Sequence, residues 1–351
     1  MRFCYTENYF SFYKTFSRLT SSKPKTFKEA LSRIQKNDST LTHLNLSDLN
    51  LSDEDITQLC FALRRASNVT LLSLDVSHNH LTDLGVAEIA AIPGLLALDM
   101  NSNNISIVGI RALILNHTIT RLSLRYNKLD SLSAELLATS DTLKHLDLTG
   151  NRIGDTGARS FFCNTSLLTL NLAANGLGNT AVSNVPANHT LMYLSLSFNN
   201  ISDSGSEILA SNDTLIYLDL SGNRIKSSGA SAFKNHPKLH YLDLSENYIG
   251  NSGAQSLIQS RSIKFLDIQV NKITNVGAQC LLADACQLDF LDLTGNPVTT
   301  QLLVDEIESK KKSNFPWFDP FQLFEHYPTS QIPIKLICSA VIPYDETRIM
   351  L

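Results

Sequence analysis

Four aspartates recur on a fixed step in the second half of this chain: Asp219, Asp243 and Asp267 at intervals of 24 residues, then Asp292 after an interval of 25. Two residues before each stands an aromatic ring, Tyr217, Tyr241, Phe265 or Phe290, and Tyr193 begins the same row one interval earlier. A spacing of two puts both side chains on one face of a strand. On adjacent strands the rings stack and the carboxylates pool negative charge. Such a surface suits a protein partner that presents basic and apolar groups, and Tyr is favoured where proteins meet. Carboxylates on neighbouring strands, about 4.8 Å apart, repel by about 0.9 kcal/mol in a water-like dielectric. Ser221, Ser245 and Thr294, two residues further on, stand where they can hydrogen-bond to them.

A second candidate patch lies earlier, where Arg121, Arg125 and Tyr126 fall near His145, with Asp99 and Asp147 beside them. The opposite charges also suit simple pairing across strands. No Ser-His-Asp order, zinc-ligand spacing or phosphate loop is present, so neither a self-contained enzyme nor a metal or cofactor is expected.

These residues must be held by elements that repeat as they do. Segments start at Leu71, Leu95, Ile119, Leu143, Leu167, Leu191, Leu215, Leu239, Ile263 and Leu288, stepping by 24 until a last step of 25. Each has apolar residues at positions 1, 4, 6 and 11 and Asn at position 9, as in "LKHLDLTGNRIGDTGARSF" from Leu143. Positions 4 and 6 point into a core while 3 and 5 face solvent, which makes one short parallel strand per unit. The Asn column (Asn79, Asn103, Asn127, Asn151, Asn175, Asn199, Asn223, Asn247, Asn271, Asn296) is expected to serve the backbone of a buried turn as a ladder. Gly at position 15, with an apolar residue four further on, marks a short helix that neighbouring units approach closely. Asn116, Asn164, Asn188 and Asn212, near position 22, are expected to end helices in the left-handed conformation. Asn-x-Ser/Thr triplets, among them those at Asn104 and Asn200 in a turn expected to be packed, read as by-products of the repeat.

The pattern LxxLxLxxNxI followed by a Gly-Ala-type helix resembles the leucine-rich repeat, in its ribonuclease-inhibitor-like subclass. "IGDTGARSF", "IGNSGAQSL" and "ITNVGAQCL" are similar to the short variant found in bacterial proteins that act inside eukaryotic host cells. The resemblance covers about residues 41 to 303 and implies an α/β horseshoe, with parallel strands on the concave face, helices on the convex face and helical caps. It supplies no catalytic residues. Three regions follow: an N-terminal helical cap over 1–40, a solenoid of about 11 repeats over 41–303, and a C-terminal cap and tail over 304–351. The first unit departs from the pattern, with Leu49 at the Asn position and a longer helix at about Asp53 to Arg65. A second helix is expected over 26–36, capped from Thr26.

The ends break the period. Tyr9, Phe12, Tyr13 and Phe16 suit one helical face and a lid on the core. A helix near 300–312 ends on Lys310, Lys311 and Lys312, which suit its dipole, and "NFPWFDPFQLFEHYP" suits a plug on the last repeat. Pro333, Ile334, Cys338 and Ile342 loosely resemble the Elongin-binding box of ubiquitin-ligase adaptors, although an edge strand or cap explains them as well. The tail "YDETRIML" is similar to C-terminal signals of bacterial type IV secretion substrates.

Composition narrows the partners. A net charge of -4 argues against nucleic acid, and no apolar run approaches the ~20 residues that span a bilayer. The six scattered cysteines read as buried or half-buried free thiols in a reducing, cytoplasmic compartment. The reading is therefore a monomeric, non-enzymatic interaction module, a bacterial effector delivered to the host cytosol that binds a host protein through its concave face. The alternatives are an adaptor recruiting ubiquitin-ligase machinery, and a small-GTPase regulator by analogy with the Ran GTPase-activating protein, using Arg121 or Arg125.

Overall fold

The computed structural model describes residues 24, 26–66, 70–284, 288–299 and the strand at 335–337. The chain forms two compact units, the first ending at Asn199 and the second starting at Asn200. The first holds strands β1 (His43–Asn45), β2 (Ser73–Asp75), β3 (Ala97–Asp99), β4 (Arg121–Ser123), β5 (His145–Asp147), β6 (Thr169–Asn171) and β7 (Tyr193–Ser195). The second holds β8 (Tyr217–Asp219), β9 (Tyr241–Asp243), β10 (Phe265–Asp267), β11 (Phe290–Asp292) and β12 (Lys335–Ile337). Within each unit the strands pair parallel in chain order, with equivalent repeat residues opposite one another, as in Leu98 with Leu122 and Leu242 with Leu266.

Apolar positions 1, 4, 6 and 11 form the core. Leu95, Leu98, Met100 and Ile105 of one repeat are all fully buried, and each is worth about 1.5–3 kcal/mol relative to exposure. One coil alone cannot bury this face, which is why the coils stack. Helices such as Asp83–Ala90, Gly154–Phe161 and Gly250–Leu257 close the other side. In the repeat that contains Pro186 the helix gives way to two short 3-10 turns, Asn179–Val182 and Val185–Ala187, because proline cannot continue an α-helical ladder.

The Asn column does what the sequence implies. Asn151 Nδ2 donates to the carbonyls of Leu124 (3.0 Å) in the preceding repeat and Leu148 (2.9 Å) in its own. Its Oδ1 accepts from the Leu129 N–H at 3.1 Å. Equivalent bonds recur from Asn79 to Asn296. The residue just before each Asn is left-handed, including Tyr126 (φ 51°), Phe198 (φ 53°) and the β-branched Val270 (φ 49°). Such residues pay about 1–3 kcal/mol and persist only where their surroundings hold them. The Asn clamp supplies that hold. At Gly150 (φ 69°) an added Cβ would also lie 2.3 Å from the Tyr126 ring.

A second ladder runs along the helix side and was not read from the sequence. Asp53 Oδ1 accepts from the Thr82 and Gly85 N–H groups of the next repeat (2.9 and 3.0 Å), and Asp83 does the same for Ser106 and Gly109 (2.8 and 2.9 Å). This accounts for Gly85, Gly109 and Gly229, whereas at Gly157 and Gly253 an added Cβ would meet the neighbouring coil itself. A Cβ on Gly85 would meet Asp53 Oδ1 at 2.5 Å.

Several expectations need correction. Asn116, Asn164, Asn188 and Asn212 are not left-handed. Asn164 Oδ1 instead accepts from the N–H groups of Ser166 and Leu167, while its Nδ2 donates to carbonyls of the preceding repeat. The short amide bonds locally across a turn, which needs no unusual backbone. Asn104 and Asn200 are exposed rather than packed. Cys60 is buried and Cys280 half-buried, but Cys163 is exposed.

The terminal helices fall as expected, Phe27–Gln35 capped by Thr26 and Asp53–Arg65 capped by Ser52. The aromatic segment at Tyr9 to Phe16, the helix and lysines near 300–312, the plug sequence and the tail all lie outside the described residues. No described helix is long and apolar enough to cross a membrane.

Candidate partner-binding face

Position 3 of each strand carries the rings of the second unit and position 5 the aspartates. Parallel in-register pairing places Tyr217 opposite Tyr241, Tyr241 opposite Phe265, and Phe265 opposite Phe290, with Asp219, Asp243, Asp267 and Asp292 in the adjoining column. The rings stack: Tyr217 on Tyr241 with centroids 4.3 Å apart and planes at 16°, Tyr241 on Phe265 at 6.3 Å and 21°, Phe265 on Phe290 at 6.4 Å and 27°. Stacking shields each ring, so Tyr217 is buried and the other three are half-buried. Tyr193 ends the first unit on β7 and is also half-buried.

The alternation of strand side chains therefore overstates exposure. Positions 3 and 5 were expected to face solvent, yet Asp75, Asp99 and Asp292 are buried, Asp147 is 0 % exposed, and Asp219, Asp243 and Asp267 are half-buried. Strands about 4.8 Å apart leave little room for water between large neighbours, so the water-like dielectric assumed from sequence does not apply. Burial, followed by the charges of Asp219 and Asp267, pushes the Asp243 carboxyl up to about 8. Burial first, with Asp292 and Asp219 adding to it, raises Asp267 to about 6. The Tyr241 phenol is raised for the same reasons.

Local donors support each carboxylate as expected. Asp219 Oδ1 accepts from the Ser221 N–H (3.0 Å) and hydroxyl (2.7 Å), Asp243 Oδ1 from the Ser245 N–H (2.9 Å), and Asp292 Oδ1 from the Thr294 N–H (2.9 Å). Asp267 uses Gln269 instead, accepting from its N–H at 3.1 Å and its Nε2 at 2.8 Å. Neither Asp243, Asp267 nor Asp292 makes an ion pair among the described residues. Asp243 thus holds its proton near neutral pH, while Asp267 and Asp292 have no cation paired to them among the described residues.

The patch on the first unit divides. Arg125 Nε lies 3.9 Å from Asp147 Oδ2 and its guanidinium stacks 5.5 Å from the Tyr126 ring centre, so charge pairing across strands holds here. Tyr126 itself is exposed on the turn. Arg121 does not follow. It makes no ion pair among the described residues, and its Nε is buried without a hydrogen-bond partner. His145, opposite Arg121 in register, shares a 3.0 Å hydrogen bond between Nδ1 and Thr169 Oγ1. Its imidazole is lowered to about 4 by burial and then by Arg121. Of the terminal box, Ile334, Cys338 and Ile342 lie outside the described residues, but the Lys335–Ile337 stretch between them pairs with β11 as an edge strand.

With this geometry in place, comparison with known proteins gives a consistent class. Leucine rich repeat models match residues 117–177, 189–249 and 213–273, and a further one matches 67–90. An internalin (inlF) from Listeria monocytogenes is 16% identical, with 86% of this chain and 92% of that one aligned at a TM-score of 0.52. The leucine-rich repeat domain of APL1 is 20% identical over 75% of this chain and 70% of its own, at a TM-score of 0.46. No curated protein matches. The fold is that of a leucine-rich-repeat solenoid, an α/β arrangement of parallel strands and short helices, and the matching repeats are of a kind that generally mediates protein–protein interaction.

Proposed function

We propose that the chain is a non-enzymatic interaction module whose aromatic and acidic strand face, Tyr217, Tyr241, Phe265 and Phe290 beside Asp219, Asp243, Asp267 and Asp292, binds a protein with basic and apolar groups. Tyr193, on β7 of the first unit, carries an aromatic ring at the same position of its repeat. The observation that carries this reading is the stack of four rings next to Asp243, Asp267 and Asp292, which make no ion pair among the described residues. A structural column would be cheaper as Asn or Ser, as at Asn171 and Ser195 of the first unit. Ring faces attract cations, so an arriving Lys or Arg meets both columns at once.

The 24-residue repeat style supports a bacterial effector acting on a host protein in the host cytosol. The test is affinity capture with Tyr217, Tyr241 and Phe265 all changed to Ala. Capture is expected to be lost with the fold intact by circular dichroism, and undiminished capture would remove the site assignment.

A further inference from the structure

The sheet of the second unit ends on a strand that no repeat supplies. Strands β8 to β11 follow one another at steps of 24 or 25 residues, whereas β12 begins 45 residues after β11. It nevertheless pairs parallel with β11 in the register of the repeats, Lys335 opposite Phe290, Leu336 opposite Leu291 and Ile337 opposite Asp292. That register keeps a leucine at position 4. It puts a lysine into the column of rings and ends the column of aspartates on an isoleucine.

The clamp that fixes each repeat strand has no counterpart in this segment. Asn296 ties the turn after β11 to the preceding repeat: its Oδ1 accepts from the Asn271 and Ile273 N–H groups (2.8 and 2.9 Å), and its Nδ2 donates to the Ile268 carbonyl (2.8 Å). Counted on from Lys335, position 9 falls on Val341 and position 11 on Pro343. A valine side chain neither donates nor accepts, so it cannot form the next rung. What joins β12 to β11 is a main-chain pairing of three residues. A sheet edge takes an extended segment through such main-chain bonds, and alternate side-chain positions set the specificity. At β11 those positions are Phe290 and Asp292, and Asp292 makes no ion pair among the described residues. Ring faces and carboxylates both favour a cation. The segment paired there carries one at the matching place.

We propose that the outer edge of β11 is a strand-addition site for an extended, lysine-bearing segment of a protein partner, and that Lys335–Ile337 occupies it in cis and competes with that partner. This rests on the aromatic and acidic face as the binding surface and names how a basic partner enters it: as a further parallel strand, with its lysine in the ring column. The chain's own strand then sets how much of the edge is open at any moment.

The test uses the full chain and a fluorescein-labelled peptide of residues 331–337, "QIPIKLI", followed by anisotropy. Leu336→Pro removes the middle backbone donor of β12, and proline is not tolerated inside a paired strand. This variant is expected to bind the peptide about tenfold more tightly than wild type, the factor for an edge that the tail holds about nine-tenths of the time. Lys335→Glu keeps every backbone donor of the chain and should shift binding in the same direction. A peptide with glutamate in place of its lysine should bind both variants more weakly than the original. Equal affinity of wild type and both variants for the peptide, absence of binding included, would overturn the strand-addition site. Equal affinity for the glutamate peptide would overturn the preference for a lysine-bearing segment. Neither result alters the loss of capture expected of the triple aromatic variant, so the two readings fail separately.

Discussion

Replacing Asp243 by Asn should make this protein more stable and less able to bind. In the folded chain the carboxyl is pushed up to about 8, chiefly by burial and then by Asp219 and Asp267. In the unfolded chain it titrates near the ordinary value of 3.8. A raised acid binds its proton more tightly in the folded state, so its contribution is fully present below pH 3.8 and is lost as pH rises through about 8. Each pKa unit is about 1.4 kcal/mol, which puts the loss across that window on the order of 3 kcal/mol once solvent screening is allowed for. Asn keeps an oxygen for the Ser245 N–H, now 2.9 Å from Oδ1, and removes the charge. The urea midpoint of the wild type should fall between pH 5 and pH 8, and that of Asp243→Asn should fall less, with the variant ahead at pH 8. Equal pH slopes in the two proteins would refute the claim that this column is a buried, mutually repelling one. A variant less stable at pH 8 would do the same. The same variant should weaken capture of a basic partner above pH 8, where Asp243 is ionised, and change it little at pH 6.

Two further outcomes follow from the ladders. His236 stands where other repeats carry Asn, and its Nδ1 accepts from the Leu239 N–H at 3.0 Å. Burial lowers it to about 4, so its contribution is present above pH 6.5 and is lost as pH falls toward 4. Between pH 6.5 and pH 4 the wild type should therefore lose stability relative to His236→Asn by an amount on the order of 1 kcal/mol after screening, read as the difference between their urea midpoints. Asn151→Ala removes one acceptor and two donors from buried backbone groups; leaving such groups unsatisfied at about 1–3 kcal/mol each should lower the thermal midpoint more than alanine at the exposed Asn104, as read by calorimetry.

Legibility in the sequence followed the physics of each column. Leu, Asn and Gly positions are set by contacts inside a repeating unit, so a period of 24 exposes them directly. The Asn at position 22 was misread because its type fits two turn chemistries, and only the neighbouring repeat's carbonyls decide between them. The Asp53 and Asp83 ladder escaped notice because its partners, backbone N–H groups and the Thr82 and Ser106 hydroxyls, lie roughly a repeat away in the chain. The aromatic and acidic rows were visible as rows, but their burial depends on crowding between strands, and so their pKa directions were not. Arg121 and Arg125 looked alike in the sequence. Asp147 separates them by lying beside one and not the other. Nothing periodic announced β12, which enters from outside the repeats.

The central claim is that the strand face of the second unit is where a partner binds. The most direct measurement is side-by-side affinity capture from eukaryotic cell lysate by three forms: wild type, the Tyr217, Tyr241 and Phe265 to Ala triple variant, and a control with the exposed helix-side residues Leu84, Val108 and Leu132 changed to Ser. The account predicts the same captured protein with wild type and control, and its loss with the aromatic variant. Retention by the aromatic variant, or loss only with the helix-side control, would contradict it.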